Sequence, residues 1–213
     1  MYMARYNGPV CRLCRRSGQK LHLKGARCMG PKCGIETHNS PPGMKGDSRR
    51  PPRRPSDYAL QLREKQQLKQ VYGMLEKPFR RYVRRAERLA GVSGERLLQL
   101  LEQRLDNVVY RAGFATSRPQ ARQWVRHRHF SVNGRTVDVP SFQVRTGDVV
   151  EVREEFRASG HLLAAKESGA AGGSLSWIQV EPAQFKVTIV GDPPRPEIDA
   201  PVDETVVMEF YSR

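Results

Sequence analysis

The sequence predicts an α+β protein, in which a helical region is followed by a small module of helices and antiparallel strands. Apolar residues recur every three or four positions over much of residues 57–112, the spacing of amphipathic helices. Asn133-Gly134 lies between two short segments of apolar and β-branched residues, which is the pattern of a β-hairpin. A basic stretch, residues 1–38, precedes both regions and contains all four cysteines.

The helical region predicts three helices, at residues 56–72, 78–91 and 93–113. Ser56 has the character of an N-cap and is followed by an acidic first turn, and glycines would end the helices. Each of the second and third helices carries one apolar stripe predicted to be buried. These stripes are Phe79, Val83, Ala86 and Ala90 in the second helix, and Leu97, Leu101, Leu105, Val108 and Ala112 in the third.

The module continues with a short helix and then strands. Ser117 and Gln120 have capping-box spacing at the start of the helix. Strands are predicted at 130–132 and 135–137 around the Asn-Gly turn and at 149–152. Further short strands are predicted at 175–180, 186–190 and 205–211, whereas residues 157–174, rich in Ala, Gly and Ser, predict little.

The charge of the chain is strongly positive and unevenly distributed. The net charge is +15, and residues 1–57 carry 13 Lys/Arg against 3 Asp/Glu. Residues 58–150 carry 18 against 8, whereas residues 151–213 carry 6 against 11. A polyanion is therefore expected to bind the first 150 residues. Nucleic acid is favoured over an anionic membrane, because the basic residues alternate with core-forming positions and no apolar anchor accompanies them.

The four cysteines have the spacing of a metal site. Cys11, Cys14, Cys28 and Cys33 form two close pairs separated by 13 residues, and such pairs can complete a tetrahedron around one metal. The alternative, four small buried hydrophobes, is poor because the segment has few apolar residues. One Zn²⁺ is the leading prediction. A [4Fe-4S] cluster is the alternative, since spacing does not separate the two.

Clusters of basic residues are the candidate RNA contacts. Arg118, Arg122 and Arg126 lie four residues apart on one helical face, and that helix contains no acidic residue, so phosphate contact is favoured over a solvated face. Further candidates come from the second predicted helix, a Pro-rich basic loop and the start of the hairpin. They are Arg80, Arg81, Arg84, Lys45, Arg49, Arg50, Arg53, Arg54 and Arg128.

The sequence lacks the common patterns of catalysis and of membrane or secretory targeting. It contains no phosphate-binding Gly loop, no H-E-x-x-H and no nucleophile elbow. It also contains neither a run of 18 or more apolar residues nor an apolar signal core. A cytoplasmic protein without enzymatic activity, small-molecule substrate or membrane partner is therefore expected.

Several segments resemble bacterial small-subunit ribosomal protein S-four, of the kind that carries metal-binding cysteines. They are Pro55-Ser-Asp-Tyr58, Leu62-Arg-Glu-Lys65, Arg104-Leu-Asp-Asn-Val-Val-Tyr110, Gly113-Phe114, Val132-Asn-Gly134 and Glu209-Phe-Tyr-Ser-Arg213. The resemblance covers roughly residues 5–156 and 175–213. Two departures are the replacement of the family's usual Gly-Gln-His-Gly by residues 42–46 and the lack of its usual charged helix within 157–174.

The resemblance implies three parts with distinct roles. Residues 1–45 would be a metal-binding extension that uses the four cysteines. Residues 46–100, joined by a C-terminal strand and tail over 199–213, would form a helical domain that binds ribosomal RNA. Residues 101–198 would be the small RNA-binding module with antiparallel strands.

The family's function would then be structural. The resemblance implies a primary binder of 16S ribosomal RNA that nucleates assembly of the small-subunit body and affects translational accuracy. Its other expected partners are ribosomal protein S-five, further small-subunit proteins, and mRNA at the channel through which mRNA enters.

Two other classes of protein compete with this interpretation. An RNA-modifying enzyme or its accessory could use the same module, but a catalytic domain would need 150 or more further residues. A zinc-containing regulator that binds DNA would use residues 104–127 as a helix-turn-helix. Its recognition helix would offer mostly arginine, which contacts the backbone, and few residues that read base edges.

Overall fold

The computed structural model describes residues 5–38, 40–43, 54–168 and 175–212. The chain divides into two compact units. Unit 1 comprises residues 1–97 and 200–213, and unit 2 comprises residues 98–199. None of the helices in the described part of the chain is long and apolar enough to cross a membrane.

Unit 1 begins with short helices around the cysteines. They are α1 (Cys11–Ser17), α2 (Ala26–Met29) and α3 (Gly34–Thr37). Helix α1 ends at Gly18, whose φ of 78° suits glycine. A Cβ at position 34 would lie 2.9 Å from the Cys11 Cβ, so glycine allows α3 to pack closely on α1.

The next two helices of unit 1 are α4 (Asp57–Val71) and α5 (Glu76–Ala86). The predicted N-cap is confirmed, because Ser56 Oγ accepts a hydrogen bond from the Ala59 N–H at 3.3 Å. Helix α5 buries Phe79, Val83 and Ala86 as predicted, but Ala90 is exposed and that part of the stripe was wrong. The helix ends early because the backbone tightens, with the Arg88 and Leu89 N–H groups donating three residues back to the Arg85 and Ala86 carbonyls.

The C-terminal strand predicted at 205–211 is wrong, because Glu204–Ser212 form helix α11. Thr205-Val206-Val207 favours strand locally, but the helix buries Val207 and packs against α4. The aromatic rings of Phe210 and Tyr58 lie 5.6 Å apart, centre to centre. Packing in the folded unit has therefore overridden local propensity.

The single helix predicted at 93–113 is two helices, α6 (Ser93–Glu102) and α7 (Leu105–Arg111). The break occurs at Arg104, whose backbone is extended and bridges to Gln143. The Leu105 N–H donates to the Phe142 carbonyl at 2.9 Å instead of continuing α6. All five residues of the predicted stripe are nevertheless buried.

Helix α8 (Arg118–Arg126) follows, and its start differs from the predicted capping box. The Ser117 side chain caps nothing; instead Gln120 Oε1 accepts from the Thr116 N–H at 2.8 Å and hydroxyl at 2.7 Å. Trp124 is buried, edge-on to Phe156 at 5.0 Å. Trp124 is thus a core residue of unit 2.

Unit 2 is completed by an antiparallel sheet with the strand order β2-β1-β3-β5-β4. Its strands are β1 (Phe130–Val132), β2 (Arg135–Thr136), β3 (Val149–Val152), β4 (Ile178–Glu181) and β5 (Lys186–Ile189). The hairpin is confirmed, because Val132 pairs with Arg135 and leaves Asn133-Gly134 as a two-residue turn with φ of 50° and 75°.

Two of the three further helical segments lie between β3 and β4, and the third follows β5. They are α9 (Glu154–Arg157), α10 (Gly160–Ser168) and a 3-10 turn at Arg195–Glu197. The sequence did not predict α10, yet it contributes Leu162 and Ala165 to the core of unit 2. Those two residues belong to the same hydrophobic cluster as Phe130, Val150 and Val187 from the sheet. The unit is thus α+β, with helices packed on an antiparallel sheet.

Candidate nucleic-acid interface and cysteine cluster

The outer face of α5 is a surface of arginines. Helix α5 buries its apolar stripe, and the side chains at the intervening positions must point outward. Arg80, Arg81 and Arg84, all predicted RNA contacts, are exposed. Arg85 and Arg88 are also exposed and extend the surface to the end of the helix. A rigid helix with this face can present several guanidinium groups to a phosphate backbone.

Helix α8 presents its arginine stripe differently. Arg122 Nη1 donates to Asp106 Oδ2 at 3.1 Å, and Arg118 Nε donates to Asn107 Oδ1 at 2.7 Å. Arg118 Nη2 also lies 3.7 Å from Glu102 Oε1. Helix α8 contains no acidic residue, as the sequence shows, and the carboxylates that contact its arginines come from α6 and α7. Contact of Arg118 and Arg122 with RNA stays a prediction, and the structure adds an intramolecular role for both.

The carboxylates themselves are buried in an ionic network. Asp106 receives two hydrogen bonds from Arg104, Nε to Oδ1 at 3.0 Å and Nη2 to Oδ2 at 2.7 Å. Glu102 receives two from Arg111, at 2.8 and 3.2 Å, and one from Asn107 Nδ2 at 2.9 Å. A buried carboxylate requires such partners, and here arginine supplies most of them.

The outer end of α8 continues into a more exposed surface. Arg126 and Arg128 are exposed, and Arg128 Nε donates to Asp138 at 3.1 Å. His129 stacks on Phe156 at 3.9 Å between ring centres. Burial lowers the pKa of His129, and the neighbouring side chains of His127 and Arg153 lower it further. Arg126 and Arg128 are therefore the candidate RNA contacts at this end of α8.

The basic loop lies mostly outside the described residues. Lys45, Arg49, Arg50 and Arg53 all belong to the ranges that the structure leaves undescribed. Arg54, the first described residue after the loop, is exposed. Its side chain precedes the N-cap of α4 and is the one candidate of this group for which a position can be given. RNA binding by the loop stays a prediction.

Three of the cysteines lie in the short helices α1 and α2 of unit 1, and Cys33 is the N-cap of α3. Cys14, Cys28 and Cys33 are buried, Cys11 is partly buried, and all are free thiols. Burial raises the pKa of the Cys14 thiol, and the charges of Cys28, Cys11 and Cys33 raise it further. The Lys24 N–H donates to Cys28 Sγ at 3.3 Å, the kind of bond that stabilises a thiolate.

The four cysteines provide donor atoms that suit a metal, but the described side chains are not arranged as a metal site. Four thiols within one short segment are a donor set that suits zinc or an iron–sulfur cluster. Among the described residues, however, no three His, Cys, Asp or Glu side chains are arranged as a metal site. The predicted metal-stapled extension is therefore not shown.

Some residues of the candidate interface could not be predicted from the sequence. Glu102, Asp106 and Asn107 hold the arginines of α8, but Asp106 is 16 positions from Arg122 along the chain. No helical or strand spacing joins residues so far apart. The one available signal was the acidic pair itself, two carboxylates placed within predicted apolar helices, where a charge requires a partner.

Known proteins that resemble the chain cover it almost completely. Residues 5–102 match the Ribosomal protein S4/S9 N-terminal domain, and residues 103–150 match the S4 domain. Small ribosomal subunit protein uS4A of Symbiobacterium thermophilum is 54% identical over 99% of the chain and 100% of its own length. Small ribosomal subunit protein uS4 of Pelotomaculum thermopropionicum and that of Desulforamulus reducens are each 50% identical with the same coverage. The chain therefore belongs to the uS4 family of small ribosomal subunit proteins.

Proposed function

We propose that the chain is a structural protein of the small ribosomal subunit that binds ribosomal RNA. The observation that carries this function is the similarity to uS4 proteins over 99% of the chain at 54% identity. Ribosomal structural proteins are not an enzyme family, and we propose that this chain has no catalytic turnover.

The basic surfaces of both units support RNA binding. The exposed guanidinium groups of α5 in unit 1, and those of Arg126 and Arg128 in unit 2, are accessible to an anionic backbone. Arginine suits phosphate because its planar donors match two oxygens at once. Contacts of this kind position a protein on RNA without reading its sequence.

We extend the proposal to particular partners. The RNA is 16S ribosomal RNA, which the chain would bind early and so nucleate assembly of the subunit body. Ribosomal protein S-five, further small-subunit proteins and mRNA at the channel through which it enters are the remaining partners, with an effect on translational accuracy. The protein would then be cytoplasmic and bound to ribosomes. These proposals follow from family membership.

Sedimentation tests the function. A lysate of the source cells is separated on a sucrose gradient, and the chain is quantified by mass spectrometry in each fraction. We expect essentially all of it with small subunits and with whole ribosomes, and a shift to small subunits alone at low magnesium. A predominantly free pool, or enrichment on chromosomal DNA, would overturn the proposal and favour a DNA-binding regulator.

We also propose that Cys11, Cys14, Cys28 and Cys33 hold one Zn²⁺, with one [4Fe-4S] cluster as the alternative. The spacing of the four cysteines and the burial of three of their thiols support it. The metal would cross-link short helices that bury few apolar residues of their own.

Metal analysis of protein purified without oxygen tests the cysteine proposal. We expect about one equivalent of zinc, or about four of iron with visible absorption, and loss of either in Cys28→Ser. His38→Ala is the control, because His38 is exposed and belongs to the same segment. Four titratable thiols with neither metal would show that the cysteines are not ligands.

A further inference from the structure

We infer that Asp106 and Glu102 are positioning residues for RNA binding. Their buried carboxylates hold Arg122 and Arg118 in the orientation in which α8 meets an RNA phosphate. The inference rests on the proposed function and assigns to these two acids a part in it. A negative charge would thereby strengthen the binding of a polyanion.

Asp106 is held in place by contacts other than the one with Arg122. Arg104 holds both of its oxygens, at 3.0 and 2.7 Å, and the Asp106 N–H donates to the Pro140 carbonyl at 3.1 Å. The carboxylate therefore has little freedom to follow a moving partner. Arg122 reaches the same Oδ2 atom at 3.1 Å and is anchored by it to the core of unit 2.

Arg118 is held on three sides. Its Nε donates to Asn107 Oδ1 at 2.7 Å, and its guanidinium carbon lies 4.6 Å from the centre of the Tyr110 ring. Glu102 is 3.7 Å from its Nη2 and is itself held by Asn107 Nδ2 at 2.9 Å. Asn107 thus connects the carboxylate to the arginine and sets the orientation of the guanidinium plane.

Within the network, the acidic side chains are more deeply buried than the arginines of α8 that they contact. The side chains of Glu102 and Asp106 are 1% and 7% exposed, whereas those of Arg118 and Arg122 are 12% and 17% exposed. Arg126, one turn further along α8, is exposed. An approaching anion therefore meets guanidinium groups first, with the carboxylates behind them. In the ion pairs that the structure describes here, four arginines contact two carboxylates: Arg104, Arg111, Arg118 and Arg122.

Such an arrangement favours binding through preorganisation. A free arginine loses rotamer freedom when a phosphate immobilises it, and that loss weakens binding. An arginine already held by a buried carboxylate has lost that freedom during folding. Its fork of five N–H donors provides more directions than the carboxylate uses, which suits a second, outward acceptor.

The test uses the fact that the charge of Asp106 and its positioning of Arg122 should have opposite effects on RNA affinity. Asp106→Asn removes one negative charge, which by charge alone should tighten the binding of RNA. The positioning role predicts the reverse: binding of transcribed 16S ribosomal RNA by the full chain should weaken about three- to tenfold, the cost of immobilising one long side chain. Affinity is measured by filter binding at fixed salt, with thermal unfolding of each variant alongside.

Asp138→Asn is the matched control. It makes the same change of charge in the same unit, but its partner Arg128 is 68% exposed and Asp138 is 45% exposed. That pair orders little, so the control should bind as tightly as the unmodified chain or more tightly. A weakening equal to that of Asp106→Asn would mean that loss of any carboxylate is harmful, and it would overturn the positioning role.

A second variant covers the case in which Asp106→Asn does not fold. Arg104→Gln combined with Asp106→Asn leaves the net charge unchanged and removes the buried guanidinium that would lose its partner. We expect the same three- to tenfold weakening, roughly the cost given above for one side chain. Binding as tight as that of the unmodified chain would overturn the inference while leaving the proposed function intact. Failure of the unmodified chain to prefer 16S ribosomal RNA over an unrelated RNA of equal length would instead overturn the proposed function.

Discussion

The two units display arginine in opposite ways. In unit 1, Arg80, Arg81 and Arg84 extend from a helix whose buried side is purely apolar, and all three are exposed. In unit 2, Arg118 and Arg122 have the same helical spacing but are mostly buried against carboxylates of neighbouring helices. The first arrangement leaves the side chains exposed to solvent, whereas in the second they are held by carboxylates of neighbouring helices.

The difference shows what helical spacing can and cannot indicate. Spacing establishes that a set of residues shares a face. What that face meets depends on other parts of the chain, which for α8 are residues 102–107. An arginine stripe can therefore serve the partner, the fold or both, and mutations separate these roles.

The largest effect is expected for the buried acid Glu102. Glu102→Gln would remove the carboxylate that the guanidinium of Arg111, which is 9% exposed, contacts at 2.8 Å. Breaking one side of a buried ion pair costs about 3–5 kcal/mol in the free energy of unfolding. Urea unfolding measures this loss. A loss below about 1 kcal/mol would show that the network contributes no more than an exposed pair.

The next effect concerns the exposed arginines of unit 1. Replacing Arg80, Arg81 and Arg84 together by Ala should flatten the slope of log K against log salt by about 2 to 3, because each lost phosphate contact contributes about 0.7–0.9. Unfolding should change by no more than about 1 kcal/mol. The triple Lys variant keeps the charges and should keep the slope. An unchanged slope for the Ala variant would mean that this face of α5 does not meet RNA.

In unit 1 a carboxylate contacts the neighbouring helices α4 and α11, whereas in unit 2 the carboxylates contact the arginines of α8. Burial would raise the pKa of Glu76, but hydrogen bonds from Tyr211, Lys69 and Lys65 outweigh burial and lower the pKa from 4.5 to about 2. The folded-state pKa lies below the unfolded one, so this stabilisation is full above pH 4.5 and is lost as the pH falls toward 2. The carboxylate is 44% exposed, so we expect only about 1 kcal/mol.

Glu76→Gln tests this pH dependence. The variant should lose stability above pH 4.5 and should show a flatter fall of the unfolding midpoint between pH 4.5 and 2 than the unmodified chain. Glu64→Gln is a suitable control on α4, since Glu64 is a carboxylate outside this cluster. Identical pH curves for Glu76→Gln and the unmodified chain would contradict the assigned role.

The smallest effect is expected for Arg128 and Asp138. Both side chains are largely exposed, and an exposed ion pair contributes about 0.2–1 kcal/mol. Arg128→Ala should change unfolding by less than about 0.5 kcal/mol. It should nevertheless flatten the salt slope by about 0.7–0.9, the value for one phosphate contact. A loss in the free energy of unfolding that exceeds the loss in the free energy of RNA binding would show that Arg128 belongs with the buried arginines.

Much of the fold followed from local patterns. The α4 cap at Ser56, the Asn133-Gly134 hairpin and the buried stripe of residues 97–112 were all predicted and confirmed. Each depends on residues close together in sequence, where capping, turn conformation and periodicity act directly.

The errors occurred where distant residues decide the conformation. Arg104 leaves the helical path because its backbone pairs with Gln143, and nothing in residues 93–113 contains that information. Val206-Val207 has strand propensity, but packing of α11 against α4 makes it helical. The same reason explains the candidate site: the arginine stripe was evident from spacing, and its carboxylate partners were not.

The packing of α11 on α4 also has a consequence for the order of synthesis. Gln61 Nε2 donates to Glu209 Oε2 at 3.1 Å, a contact that spans 148 positions, and the whole of unit 2 is translated between these residues. Unit 2 is continuous in sequence and can fold as soon as it emerges, whereas unit 1 must wait for α11. We expect proteolysis of stalled nascent chains to show protection of residues 98–199 before that of α4, so that the half of the protein made first is the half completed last.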